Sequence, residues 1–247
     1  MTCHALSHGS PSPCGSNEHP CPVTLVMETG APAVVEHKHT SASGDEMIVE
    51  VHGYPIPDES GKITRCIEYM IDVTERRQLE QQLQRLAETD PLTGTANRRR
   101  FYSMLTVEIN RAMRHGRMLS VLMLDLDHFK EINDNNGHDA GDRVLSRLVT
   151  LLEGVLRVSD LLGRSGGDEF LILAPETGLD EARVLADKLL STVRGGLHDA
   201  QAGQVTISLG IAAYQPGDSA DELVKRADLA LYRAKQLGRN RFEVSDQ

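Results

Sequence analysis

Two adjacent glycines stand between two apolar runs and are followed at once by two carboxylates, in Arg164-Ser165-Gly166-Gly167-Asp168-Glu169-Phe170. Leu161-Leu162 precedes them and Phe170-Leu171-Ile172-Leu173 follows, which predicts a β-hairpin with its tip at the glycines. With no Cβ in the way, a glycine pair lets a backbone come close to a bulky anion. The acids open the return strand, so the tip suits a phosphate-bearing substrate and a hard divalent cation. On this peptide alone, an ordinary surface hairpin with solvated acids is the simpler reading. The rest of the chain reverses that order.

Charge narrows the partners. The formal net charge is −10 over 247 residues, and residues 1–75 hold 3 basic against 11 acidic side chains. No lysine- or arginine-rich tract exists, which argues against a nucleic-acid backbone or an anionic membrane as partner. No apolar run reaches transmembrane length and no signal-peptide core opens the chain, so a soluble, cytoplasmic protein is expected. All four cysteines (Cys3, Cys14, Cys21, Cys66) and six of the ten histidines lie in the first third. Their spacing is not that of a Cys-x-x-Cys zinc site, so free thiols are expected, with a metal or redox site as the alternative.

Hydrophobic periodicity divides the chain into 1–74, 75–89 and 90–247. Residues 1–22 carry no period and read as loop. Strands are predicted at Val34 to His37, Met47 to Val51 and Ile63 to Ile71, separated by turn signals at Ser43-Gly44-Asp45 and Pro57 to Gly61. Leu79, Leu83 and Leu86 form a narrow seam of coiled-coil spacing. A connector helix packed on its own chain is the alternative, since two heptads alone hardly hold a dimer.

From residue 90 onward helices and strands alternate. Asn97 is placed to cap a helix carrying Phe101, Met104, Leu105, Ile109 and Ala112. Leu119 to Leu126 reads as a central strand, followed by a short helix at Phe129 to Asn133 and a glycine-marked turn from Gly137 to Asp142. A longer helix then carries Val144 to Leu156. After the hairpin come a helix at Asp180 to Val193, a strand at Val205 to Ala213 and a final helix opened by the capping box of Ser219 and Glu222. Arg241 to Val244 close the order as a short strand. The expected class is α+β with a mixed central sheet flanked by helices.

Asp125 and Asp127 close the central strand, and strand period puts both on one face. If the hairpin is a neighbour, Asp168 and Glu169 come beside Asp125. Carboxylates converging without basic partners repel one another unless a cation sits between them, and magnesium is the economical choice.

The motifs now suffice for a resemblance. Asp90-Pro91-Leu92-Thr93-Gly94, Asn97-Arg98-Arg99, Asp125-Leu126-Asp127-His128-Phe129-Lys130, Asn133-Asp134, Gly137-His138 and Gly141-Asp142 are similar to the ordered signatures of the GGDEF family. Gly166 to Phe170, Ala234-Lys235 and Gly238-Arg239-Asn240 complete the set, over about residues 89–244. Ile71-Asp72-Val73-Thr74-Glu75-Arg76-Arg77, at the end of three strands, resembles the exit of a PAS sensory domain. The earlier helices and strands of a full PAS fold have too little chain, which leaves a truncated module or one completed by a partner subunit. Thr95 departs from the leucine usual in the family.

The resemblance implies a palm-like nucleotidyl-cyclase domain that condenses two GTP into cyclic di-GMP, releasing two pyrophosphates. It implies magnesium, with manganese as a possible substitute, held by Asp125, Asp168 and the Leu126 carbonyl, with Asp127 at the edge of the cluster. Asp168 or Glu169 would help deprotonate the attacking hydroxyl. Asn133 and Asp142 would bind the guanine edge, and Lys130, Lys235 and Arg239 the phosphates, beside the Gly166-Gly167 backbone. Because one domain binds one GTP, a homodimer is implied. Arg157-Val158-Ser159-Asp160 matches the family's product-inhibition motif, with Lys188 where a helping arginine often stands. Without the resemblance, Arg157 and Asp160 read as an i,i+3 ion pair at a helix end. The alternatives are a catalytically silent receptor for GTP or cyclic di-GMP and, more distantly, a palm-like enzyme acting on a polynucleotide.

Overall fold

A computed structural model of the chain describes Cys14 and residues 20–40, 44–200 and 203–245, with Arg85 described in its backbone alone. The chain divides into two compact units, residues 1–84 and 85–247. Among the described residues no helix is long and apolar enough to cross a membrane.

The first unit opens with helix α1 (Pro22–Thr29), which begins at the last residue of the expected loop and otherwise lies where no element was expected. Pro22 starts it and Gly30, at φ 71°, ends it in the left-handed region. Eight residues with two valines and two threonines carry a weak helical signal, and burial of Val26 is what anchors it. Strands β1 (Ala33–Thr40), β2 (Glu46–Pro57) and β3 (Ile63–Asp72) form the expected antiparallel sheet. A Cβ at Gly53 would stand 3.0 Å from Val26 Cγ2, so glycine admits the helix to β2. The opposite sheet face leaves Val34, Tyr54, Ile67, Tyr69 and Ile71 exposed, with His52 stacked on Tyr69 at 4.7 Å. Cys21 and Cys66 are free thiols.

Helix α2 (Thr74–Glu88) follows β3 directly. Its first turn is tied down within the first unit by the Arg77–Glu36 and Arg76–Glu50 ion pairs. Leu79, Leu83 and Leu86 are 52%, 65% and 70% exposed.

The second unit is a mixed six-stranded sheet between two helical layers. Its strands are β4 (Ala96–Asn97), β5 (Leu119–Leu126), β6 (Leu161–Gly166), β7 (Glu169–Pro175), β10 (Ile207–Ala213) and β11 (Phe242–Val244), in the order β11-β10-β5-β7-β6-β4. A separate small pair, β8 (His198–Asp199) and β9 (Gly203–Gln204), stands apart from it. β5 runs antiparallel to both neighbours, β7 and β10. Every residue of β5 is buried. Leu119, Val121 and Met123 meet helices α3 (Arg98–His115) and α7 (Ala220–Gln236), while Leu122, Leu124 and Leu126 meet the layer of α4 (Phe129–Asn136), α5 (His138–Glu153) and α6 (Leu179–Gly196). Two covered faces explain why the strand lacks polar alternation. Gly210 is needed where α7 crosses β10, because a Cβ there would lie 2.0 Å from the Ala227 carbonyl oxygen.

Asn97 caps α3 by accepting from the Arg100 N–H, and Ser219 and Glu222 form the expected capping box. Two boundaries differ from expectation. α5 already begins at His138, so Gly141 and Asp142 lie in its first turns and not in a turn before it. The helix also ends at Glu153, which leaves Arg157 beyond it in the loop leading to β6.

Candidate active site

Antiparallel pairing of β5 with β7 sets Asp125 directly opposite Glu169, at the end of the sheet where the β6–β7 hairpin turns. Gly166 and Gly167 form the tip at φ 154° and 54°, with open space where a Cβ would stand. Conformation, not crowding, therefore demands glycine at 167, and the open side is free for a ligand. Arg164 braces the tip. Its Nε and Nη2 donate to the Gly167 carbonyl at 2.9 and 2.6 Å, and its Nη1 donates to Asp90 Oδ1 at 2.9 Å. Asp90 also accepts from the Thr93 N–H and hydroxyl. Sequence reasoning gave neither Arg164 nor Asp90 a function of its own. The signal was an arginine two residues before the glycines. Thr95 is buried, and its hydroxyl shares a hydrogen bond of 3.0 Å with Thr93, so the departure from leucine is accommodated.

Asp125 is 6% exposed. Burial, with Asp168 and Glu169 nearby, pushes its carboxyl up to about 6, although Lys235 opposes the shift. Lys235 Nζ lies 2.7 Å from Asp125 Oδ2. Expected at substrate phosphates, Lys235 is engaged here as the counter-cation of a buried carboxylate. Among the described residues no three His, Cys, Asp or Glu side chains are grouped closely enough to hold a metal by themselves. The expected donors Asp125, Asp168 and the Leu126 carbonyl are oxygen ligands of the kind a hard divalent cation takes, and three of them would leave coordination positions for substrate oxygens.

Asp127 does not share the fate of Asp125. Only 4% exposed, it accepts from Thr206 Oγ1, Ser208 Oγ and the Asn240 N–H. Both its oxygens are thus engaged by donors of the protein itself.

Asn133 and Asp142 are brought together by the α4–α5 junction. Gly137, at φ 79°, turns the chain and donates to the Asn133 carbonyl. Gly141 then packs on Asn133, whose Oδ1 is buried and finds no donor among the described residues. An orphaned acceptor beside an exposed carboxylate is a place for a ligand with N–H groups. Lys130, in the first turn of α4, and Arg239, beyond α7, are exposed and solvent-facing.

Arg157 and Asp160 close a turn. Asp160 Oδ2 accepts from the Arg157 N–H at 2.8 Å, and the Asp160 N–H donates to the Arg157 carbonyl. This backbone clasp stands where a helix-end ion pair was the alternative, and Arg157 lines a groove with Met104, Glu108, Arg111 and Arg117. Lys188 does not line that groove. It borders a separate depression on α6 with Asp187, Ser191 and Arg194.

Residues 87–241 match the family model "Diguanylate cyclase, GGDEF domain". This chain belongs to the GGDEF family. The sheet of its GGDEF domain, mixed and flanked by helices, is the expected α+β fold, and residues 10–78 match the PAS fold. The diguanylate cyclase DgcM of Escherichia coli K12 is 40% identical over 203 residues, covering 82% of this chain and 49% of the relative. The chain thus spans about half the length of that curated relative. Among solved structures, the coiled coil and GGDEF domain of DgcB from Caulobacter crescentus, in complex with c-di-GMP, superposes with a TM-score of 0.65 at 32% identity. It covers 70% of this chain and 93% of that one. Diguanylate cyclase SiaD of Pseudomonas aeruginosa, in complex with its activator SiaC, gives 0.63 at 39% identity, over 69% and 66% of the chains.

Proposed function

We propose that this chain is a diguanylate cyclase, working in the cytoplasm as a homodimer under control of its PAS-like unit. The observation that carries the reading is the buried Asp125 set opposite Glu169 beside the open Gly166-Gly167 tip. Asp168 stands between tip and strand.

Each chain binds one GTP. Asn133 and Asp142 take the guanine edge, a mixed donor–acceptor amide beside a carboxylate that accepts from guanine N–H groups. Lys130, Lys235 and Arg239 take the β- and γ-phosphates, which lie close to the glycine backbone. Lys235 exchanges Asp125 for phosphate oxygens as substrate enters, which frees Asp125 as a ligand. Asp125, Asp168 and the Leu126 carbonyl would hold magnesium, or manganese in its place, which when bound would supply neutralisation of charge on the reacting and leaving oxygens.

Across the dimer, the 3′-oxygen of each GTP bonds to the α-phosphorus of the other. Asp168 or Glu169 receives the hydroxyl proton, and the bond to pyrophosphate breaks in line. Two such transfers close the ring of cyclic di-GMP and release two pyrophosphates. The exposed leucine seam of α2 supports a dimer in which two such sites meet. Arg157 and Asp160 bind the product as a feedback site.

Incubation with GTP and magnesium, with the product identified by mass, tests the reading. Cyclic di-GMP and pyrophosphate are expected, ATP should not substitute, and Asp168→Ala should abolish turnover. Unimpaired turnover in that variant would remove Asp168 from the mechanism. A parent that binds cyclic di-GMP yet makes none would be the silent receptor instead.

A further inference from the structure

Asp127 takes no part in the reaction above, yet its carboxylate is among the most thoroughly bonded in the domain. Ser208 Oγ donates to Oδ1 at 2.7 Å, and Thr206 Oγ1 donates to Oδ2 at 2.7 Å. The Asn240 N–H donates to Oδ2 at 3.0 Å. The first two donors flank the start of β10 and fix the carboxylate to the sheet. The third reaches the segment Gly238-Arg239-Asn240, whose residues stand consecutively at φ 109°, 60° and 49°.

Non-glycine residues avoid that region, and two in succession persist only where their surroundings hold them. The holding groups are visible. The Arg239 N–H donates to the Ala234 carbonyl at the end of α7, and the Arg241 carbonyl accepts from the Leu209 N–H on β10. Arg194 Nη2 on α6 donates to Asn240 Oδ1 at 3.0 Å. Asp127 grips the backbone of the residue next to Arg239 from inside the domain.

We infer that Asp127 is a positioning residue: its buried carboxylate locks Asn240 and thereby aims the Arg239 guanidinium at the substrate's terminal phosphates. The inference rests on the assignment of Arg239 to phosphate binding. The competing role, Asp127 as a further metal ligand, requires its negative charge. Positioning requires only an acceptor for the Asn240 N–H. Asp127→Asn separates the two, because the amide oxygen keeps that acceptor while its NH2 donates to the Ser208 hydroxyl, which also accepts.

The test is calorimetric titration of the full chain, with magnesium, using GMP and a GTP analogue with methylene between the α- and β-phosphorus. Arg239→Ala should reduce the preference for the triphosphate about tenfold. Asp127→Ala should reduce it comparably with GMP affinity unchanged, and Asp127→Asn should keep most of it. A normal preference in Asp127→Ala beside a reduced one in Arg239→Ala overturns the positioning role alone. An unaltered preference in Arg239→Ala overturns the phosphate assignment and the inference with it. Equal losses in Asp127→Ala and Asp127→Asn assign the role to charge. If Asp127→Ala does not fold, the exposed Arg194→Ala, which releases Asn240 from the other side, decides. It should lower the triphosphate preference in part, and an unchanged preference overturns the inference.

Discussion

A Cβ placed on Gly141 would stand 2.0 Å from Asn133 Oδ1. Glycine at this point of α5 is what lets the Asn133 amide lie against the helix, next to the Asp142 that follows. We expect Gly141→Ala to expel the amide from its seat and to raise the GTP requirement about tenfold, with saturated turnover little changed. Asn133→Ala should act the same way. Steady-state kinetics on both variants check this, and an unaltered KM in both would leave Asn133 as a packing residue of α4.

The raised pKa of Asp125, about 6 against an ordinary 3.8 and caused chiefly by burial, makes a stability prediction. The folded chain keeps this proton to higher pH than the unfolded chain does. Stability from this group is therefore full below the ordinary value and falls as pH rises through about 6, beyond which it is level. Asp125→Asn should abolish that fall. At neutral pH it should be more stable than the parent by about 1–2 kcal/mol, after allowance for the lost Lys235 pairing. Denaturant unfolding across this pH range measures the difference. An undiminished slope in the variant would assign the pH dependence to other carboxylates.

Replacing Leu79 and Leu83 with polar residues should leave the fold intact, since both are already exposed. Activity per chain should drop at dilute protein and recover in part at high concentration, because dimer formation is a mass-action step. Activity independent of dilution in parent and variant alike would make the seam a mere connector surface.

Product feedback gives the last prediction. Arg157 lines its groove, and a guanidinium there could grip a guanine edge or phosphate in a planar fork. Progress curves should flatten as cyclic di-GMP accumulates, and Arg157→Ala should straighten them while sparing the initial rate. With Lys188 outside that groove, inhibition should be weaker than a complete arginine site would give. Direct titration of cyclic di-GMP into both proteins decides, and equal affinities would leave Arg157 and Asp160 as a turn clasp.

Much of the second unit was legible in the chain because its signals are local. A predominantly apolar run at 119–126 announced a central strand, and the Ser219–Glu222 spacing announced a helix start. The glycine pair between apolar runs announced the hairpin tip. Helix α1 escaped because its eight residues show too little period, and tertiary burial of Val26 outweighs their weak propensity. Gly141 was misread as a turn residue because sequence does not distinguish a glycine needed for conformation from one needed for close approach.

By itself, then, the sequence determined the main helices and strands of the second unit and their order, while the short strands β4, β8 and β9 and helix α1 carried too little local signal. Periodicity and turn chemistry act over a few residues and need no knowledge of the fold. Only the tertiary structure decided what each acid at the end of β5 does. Asp125 and Asp127 look alike in the chain, two residues apart. One meets Lys235, and the other meets Thr206, Ser208 and Asn240, partners 79 to 113 residues away. A carboxylate's role follows from its burial and from the donors that surround it, and both are set by strands and loops that become neighbours only when the sheet assembles.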